Sequence, residues 1–160
     1  MHKIEKIRKL LNFYNLDGYI IPKNDEFFGE YINEDKDILK YISHFSGSYG
    51  FALILKKRNY LFVDGRYTLQ AKIQSGKTFR ILTLPNQLPS NILKNKKKSI
   101  GFDPRLHTEQ MLNYFFKKTN SNLVPINENF INKIWKRKNV SKTNKFFKLK
   151  DNDVGQSSNN

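Results

Sequence analysis

The residue types that most often bind metals or catalyse reactions are sparse in this chain of 160 residues. Its three histidines, His2, His44 and His107, are too far apart to form the spaced pairs typical of zinc or dinuclear metal sites. The absence of cysteine excludes a disulfide scaffold, a thiolate metal site and a cysteine nucleophile. We predict that His44 and His107 make local hydrogen bonds rather than metal contacts.

Motifs for nucleophilic and phosphate chemistry are incomplete. The segment Phe45–Gly50 has the wrong register for a nucleophile elbow. The segment Gly76–Thr78 lacks the earlier glycine of a P-loop, because Ala71 stands at that position. Acidic pairs such as Asp25 and Glu26 lie in polar stretches, where solvated surface is the simplest interpretation. The residues alone therefore predict no assembled active site, and no bound cofactor or metal in this chain.

A net charge of +15 is the strongest compositional signal, with 29 basic and 14 acidic residues. Such an excess favours a polyanion partner. However, 23 of the 29 basic residues are lysine, whereas shaped recognition of phosphates and bases favours arginine. We therefore predict diffuse, salt-sensitive and at most non-specific binding to nucleic acid. A stand-alone basic module for nucleic acid or other polyanions remains the alternative function.

Helical and strand patterns alternate along the chain and predict an α/β fold, in which helices flank a mixed β-sheet. The first helix is amphipathic, with apolar residues from Ile4 to Tyr14 at helical spacing. Two apolar runs, Phe51–Leu55 and Tyr60–Val63, have the separation of a hairpin. Thr108 can cap a later helix. The predicted strands are 19–21, 51–55, 60–63, 79–84, 100–102 and 123–124, and the predicted helices centre on residues 4–14, 38–45, 67–73, 88–93, 108–116 and 130–135.

Several aromatic rings lie in connections rather than in periodic segments. Phe27, Phe28 and Tyr31 occupy the long aperiodic stretch 23–37. Because rings in a loop cannot all reach a core, we expect them to contact a partner. The predicted interface combines them with the loop that precedes the hairpin, and comprises Phe27, Phe28, Tyr31, Phe45, Ser46, Gly47 and Ser48.

Four local strings carry a family resemblance: residues 22–31 (PKNDEFFGEY), 42–51 (ISHFSGSYGF), 61–71 (LFVDGRYTLQA) and 101–108 (GFDPRLHT). In this order and spacing they resemble the N-terminal domain of aminopeptidase P, the Xaa-Pro aminopeptidase of the creatinase/prolidase family. The third string is the most specific. The residues that match the motifs most directly are Asp64, Gly65, Arg66, Tyr67, Asp103, Pro104 and His107.

The resemblance implies a ribonuclease-H-like creatinase N-terminal domain over residues 1–138, and a linker or tail over 139–160. It also implies that the chemistry of the family belongs to a following domain, in which two Asp, one His and two Glu hold two divalent metals, usually manganese. This chain would then be non-catalytic by itself. We expect it to pack against the catalytic domain or other subunits of a cytoplasmic homo-oligomer, to narrow access to the active site, and to have no membrane contact.

Each motif also has a purely architectural interpretation. Gly47 and Gly50 permit a tight entry into the strand that follows. Arg66 could pair with Asp64 instead of meeting a ligand. The reading frame beyond Asn160 separates the two functional hypotheses, because five encoded metal ligands would favour the peptidase module and their absence would favour the basic binding module.

Overall fold

The computed structural model describes residues 3–137, 147 and 149–155, with the side chain of Asp151 left out. The helices are α1 (Lys3–Phe13), α2 (Ile38–Ser43), α3 (Thr68–Ser75), α4 (Pro89–Leu93), α5 (Glu109–Phe116), α6 (Phe130–Ile134) and α7 (Asp151–Val154). The strands are β1 (Gly18–Pro22), β2 (Gly50–Leu55), β3 (Asn59–Asp64), β4 (Arg80–Leu84), β5 (Ser99–Phe102) and β6 (Asn122–Pro125). The predicted α/β fold is confirmed.

The six strands form one mixed sheet in the order β4-β3-β2-β1-β5-β6. Strand β2 pairs antiparallel with both β1 and β3, whereas the β3–β4, β1–β5 and β5–β6 pairs are parallel. Five strands of this sheet therefore run in one direction, and β2 runs against them. As a result, β1, β3, β4, β5 and β6 all end at the same edge of the sheet, which we call the carboxyl edge, and all begin at the opposite, amino edge.

Side chains alternate between two apolar layers, as the pleat of a strand requires. On β1, Tyr19 and Ile21 face a core shared with α1, α2, α3 and α6, while Ile20 faces a second core. The second core contains residues of α4 and α5, among them Phe115, which stacks on Phe51 of β2. Both faces of the sheet are thus covered by helices, which explains why its central strands read as nearly continuous apolar runs.

Helix ends follow local capping chemistry. Thr108 caps α5 as predicted, because its hydroxyl accepts a hydrogen bond from the Met111 amide. Helix α2 is shorter than its apolar spacing suggests, since His44 adopts a left-handed conformation with φ of 63° and ends it. Phe45, which was expected on this helix, lies just beyond its end.

The predicted tail lies largely outside the described residues, and so does the predicted boundary between residues 138 and 139. Within residues 149–155 the chain forms the short helix α7, and the described side chains there are exposed. No helix of the described residues is both long enough and apolar enough to cross a membrane.

Candidate interface at the carboxyl edge

The four motif strings meet at the carboxyl edge. Hydrogen bonds join them in succession: Asn24 Nδ2 donates to the Leu106 carbonyl at 2.9 Å, and the Lys23 amide donates to the Gly50 carbonyl at 3.0 Å. Ser48 and Tyr67 share a hydrogen bond of 2.8 Å between their hydroxyls. Strings that are far apart in the sequence thus form one continuous surface, because the strands that precede three of them run in the same direction.

The aromatic loop after β1 is organised by Asp25. Its Oδ1 accepts a hydrogen bond of 3.0 Å from the Phe27 amide, and its carbonyl accepts one of 3.2 Å from the Phe28 amide. This turn exposes Phe27 by 77% and Tyr31 by 88%, while Phe28, at a φ of 54°, is 45% exposed. The prediction that these three rings lie at the surface is confirmed. Their contact with a partner remains a prediction.

Two residues that were predicted to form part of the interface, Phe45 and Gly47, are buried in the loop before β2, so this part of the prediction is wrong. Phe45 is fully buried, so it cannot contribute exposed surface. Its ring packs edge-on against Tyr67 at 5.8 Å in the core beneath α3. The backbone of Gly47 lies directly on this ring and is buried as well. The alternation of small and aromatic residues in this loop reflects that packing. From sequence spacing alone, a buried ring in such a loop cannot be distinguished from an exposed one.

The rest of this loop is held against α3 by polar side chains. Ser46 Oγ accepts hydrogen bonds from Gln70 at 3.0 Å and Gln74 at 2.8 Å, and the Ser46 amide donates to Gln74. Ser46 and Ser48 are exposed, as predicted. Helix α3 adds two exposed apolar side chains that the sequence analysis did not single out, Leu69 and Ile73.

The two Asp-x-Arg segments form the same turn at two places on the edge. After β3, Asp64 Oδ1 accepts hydrogen bonds of 2.9 Å from both the amide and Nε of Arg66. After β5, Asp103 Oδ1 accepts corresponding bonds of 3.0 and 3.1 Å from Arg105. Both arginines therefore pair with the aspartate two residues earlier, which agrees with the architectural interpretation of these motifs.

Burial separates the two turns. Asp64 is partly exposed, whereas Asp103 is 1% exposed and also accepts hydrogen bonds from Arg105 Nη2 at 2.9 Å and Asn129 Nδ2 at 3.0 Å. Burial by itself would raise the pKa of Asp103, but the hydrogen bonds from Arg105 and Asn129 outweigh it and lower that pKa. Asn129 is also the N-cap of α6, where its side chain accepts a hydrogen bond from the Ile131 amide. The Asp103 carboxylate therefore connects the end of β5 to the start of α6.

His107 lies in the same buried network. Its Nδ1 donates to the Asp103 carbonyl at 2.9 Å, while its Nε2 is buried and has no hydrogen-bond partner among the described residues. Burial lowers the pKa of His107 and outweighs the opposing effect of the Asp103 carbonyl and charge. The predicted local hydrogen bond is confirmed, and the neutral imidazole is the form that this environment favours.

A cleft of about 350 Å³ opens between the aromatic loop and the Asp103 turn. Its lining mixes both charges, with Asp25, Glu26, Asp35 and Asp103 against Lys36, Arg105 and Arg137. Two residues of this region were not predicted from the sequence. Lys23 forms a buried ion pair with Asp37, and Asn129 binds the Asp103 carboxylate. The only sequence signal for Asn129 was its position just before an apolar helical run, where it can serve as a cap.

The described residues do not provide a metal centre. No group of three or more His, Asp or Glu side chains within them could hold a metal ion. Three of the four carboxylates in the cleft instead bind neighbouring groups: Asp25 accepts from the Phe27 amide, Glu26 pairs with Lys36 at 2.6 Å, and Asp103 accepts from Arg105 and Asn129. The arrangement can present a rigid edge with exposed rings to a partner, and the described part offers no ligand set for metal-dependent chemistry.

Comparison with known proteins agrees with this geometry. Residues 3–134 match the model of the creatinase/prolidase N-terminal domain. The chain is 36% identical over 112 residues to Xaa-Pro aminopeptidase 1 of Dictyostelium discoideum, covering 65% of this chain and 18% of that protein. It is 29% identical over 165 residues to a probable Xaa-Pro aminopeptidase P of Coprinopsis cinerea, covering 97% and 26%. The chain thus spans about a quarter or less of these relatives.

Solved structures share the fold. An X-prolyl aminopeptidase of Caenorhabditis elegans, described as a cytosolic enzyme with a di-nuclear active site, superposes with a TM-score of 0.72 at 25% identity, over 83% of this chain and 25% of that one. The N-terminal domain of the cytoplasmic peptidase PepQ of Mycobacterium tuberculosis gives 0.64 at 20% identity, over 83% and 98%. This chain belongs to the creatinase/prolidase N-terminal domain family.

Proposed function

We propose that this chain serves as the non-catalytic N-terminal domain of an Xaa-Pro aminopeptidase, assisting subunit assembly and limiting access to the active site. The parent activity would be metal-dependent release of an N-terminal residue that precedes proline, in the cytosol, with two divalent metals in a separate catalytic domain. Its relatives named as Xaa-Pro aminopeptidases support this parent activity.

The exposed rings at the carboxyl edge carry the proposal of an assembly role. Phe27 and Tyr31 are 77% and 88% exposed, yet they stand on a loop whose backbone is held in place by Asp25 and Asn24. Large aromatic side chains are enriched in the cores of protein interfaces, where a rigid support lowers the entropic cost of binding. We therefore assign this surface to contact with the catalytic domain or with a neighbouring subunit.

A chimera tests the proposal in an active enzyme. The segment of the Coprinopsis cinerea enzyme that aligns with residues 3–134 is replaced by those residues, and Xaa-Pro peptide cleavage with manganese is measured together with subunit mass. We expect an active oligomer, and we expect Phe27→Ser with Tyr31→Ser to weaken assembly and raise KM while thermal unfolding stays unchanged. A folded chimera whose subunit mass and KM are both unchanged by the two substitutions would refute the assembly role.

The isolated chain provides a second test. We expect it to release no residue from Xaa-Pro peptides at any manganese concentration, because its described residues provide no ligand set that could hold two metals. Reproducible release that a chelator abolishes would contradict the non-catalytic assignment.

A further inference from the structure

Eight basic residues from distant parts of the sequence lie together at the amino edge of the sheet. Two clefts of about 440 and 400 Å³ flank the turn that joins β2 to β3. The first is lined by the basic residues Arg8, Lys57, Arg58, Lys77 and Arg80. The second shares Lys57 and Arg58 and adds Lys56, Lys96 and Lys98. We call these eight residues the basic edge; the two linings together contain only Glu5 and Asp17 as acidic residues.

The topology creates this concentration. Arg58, Lys98 and Lys77 lie one to three residues before β3, β5 and β4, and Arg80 is the first residue of β4. Because these strands are parallel, basic residues that precede them in distant parts of the sequence meet at one edge. The prediction of diffuse charge did not anticipate this, since it considered composition without strand direction.

Most of these charges are not neutralised. Asp17 pairs with Lys98 at 3.2 Å and lies 4.0 Å from Lys56, and Glu5 pairs with Arg8 at 2.7 Å. The other five basic residues form no ion pair with any residue that the structure describes, and they are exposed: Lys57, Arg58, Lys77, Arg80 and Lys96. The cleft at the carboxyl edge, by contrast, has four acidic and three basic side chains.

We propose that the basic edge binds the phosphodiester backbone of nucleic acid without reading its sequence. Lys57 and Arg58 line both clefts, and we call this pair the ridge. An extended polyanion that crosses the ridge would meet basic residues in the cleft on either side. Lysine-rich surfaces of this kind attract phosphates as point charges and release counterions on binding.

The lining of the clefts favours nucleic acid over other anionic partners. Its apolar members are buried or half-buried; Tyr60, the one aromatic ring in either lining, is 3% exposed. A surface that inserts into membranes needs exposed apolar side chains, and the core of a protein interface needs aromatic anchors. Without an exposed ring on which bases could stack, contacts are restricted to the backbone.

Titration of the full 160-residue chain with a DNA duplex and an RNA duplex of the same sequence, at rising salt, tests this inference. The variant Lys57→Gln with Arg58→Gln removes the ridge shared by both clefts. The control variant, Lys72→Gln with Lys136→Gln, removes the same charge from exposed residues outside the basic edge. Circular dichroism verifies that both variants are folded.

We expect the ridge variant to lose at least about tenfold in affinity at low salt, and its slope of log K against log salt to fall by about 1.8, or 0.9 for each lost phosphate contact. The control should change affinity by less than about threefold. Tighter binding of one of the two duplexes would support the inference and would identify the biological partner as DNA or as RNA. Equal losses in both variants would overturn it, as would equal or tighter binding of polyglutamate or of phosphatidylserine vesicles.

Discussion

At the scale of single residues, the Asp103 network decides how the carboxyl edge responds to substitution. Asp64 and Asp103 accept the same two bonds from an arginine two residues later, but only Asp103 is buried and bound by a second element through Asn129. The same short motif therefore has a local role after β3 and a long-range structural role after β5.

Replacing Asp103 by Asn should lower the free energy of unfolding by at least about 2 kcal/mol, because an amide group would face the Asn129 amide in a buried site. Asp64→Asn provides the matched control at the partly exposed turn, where we expect no measurable change. Urea unfolding of both variants measures the difference. Equal losses would show that burial is not what distinguishes the two turns.

His107 should make the domain sensitive to mild acid. Its pKa is lower in the folded chain than its ordinary value of 6.5, because burial disfavours the charged ring. Below about pH 6.5 the unfolded chain takes up a proton at His107 more readily than the folded chain does. The contribution of the neutral imidazole to the free energy of unfolding is therefore fully present above that pH and is lost as pH falls towards the lowered pKa of the folded state. We expect the free energy of unfolding to decrease between pH 7 and 5.

The variant His107→Gln should remove this dependence, since glutamine can still donate to the Asp103 carbonyl but does not titrate. His44→Asn is the control at the exposed histidine, where asparagine tolerates the left-handed backbone. Unfolding curves collected at several pH values would contradict the assignment if His44→Asn, rather than His107→Gln, abolished the dependence.

At the scale of elements, the loop before β2 owes its shape to the close approach of Gly47 to Phe45. A Cβ atom at Gly47 would lie 2.3 Å from the Phe45 ring, and the ring cannot retreat because it is fully buried. The exposed serines of this loop are thus positioned by a core contact as well as by their bonds to α3.

Gly47→Ala should destabilise the domain by about 1–3 kcal/mol, as overpacking does in other cores. Gly65→Ala is the control, because a Cβ there would meet Thr83 at 3.7 Å, an ordinary contact, and should change stability by less than about 0.5 kcal/mol. Thermal unfolding compares the two. If Gly47→Ala were as stable as the parent, the loop would not depend on this contact.

At the scale of the whole molecule, exposed rings and a high net charge act against each other. The rings of the carboxyl edge favour self-association of the isolated chain, and a charge of +15 opposes it. Screening the charge with salt should therefore shift the balance towards association.

Sedimentation velocity should show a larger mean mass at high salt and high concentration, and Phe27→Ser with Tyr31→Ser should reverse that increase without changing unfolding. Phe13→Ser with Tyr114→Ser is the control, since Phe13 is 77% exposed, as Phe27 is, but lies on α1. A parent chain that stays monomeric in high salt would argue against the predicted contact surface.

The sequence by itself determined the elements and the family of this protein. Short continuous apolar runs predicted the central strands, which are buried on both faces, and helical apolar spacing predicted the helices, which bury one side. Residues 61–71 carried the strongest family signal. The exposure of Phe27 and Tyr31 also followed from their positions in an aperiodic loop.

Only the tertiary structure decided which of these residues act together. The burial of Phe45, the pairing of Asp103 with Asn129 and the clustering of Lys57, Lys77 and Lys98 depend on contacts between segments that are distant in the sequence. Local spacing reports which side of an element is apolar, but it contains no record of strand direction. Because five of the six strands run the same way, the motifs lie at one edge of the sheet and the basic edge lies at the other.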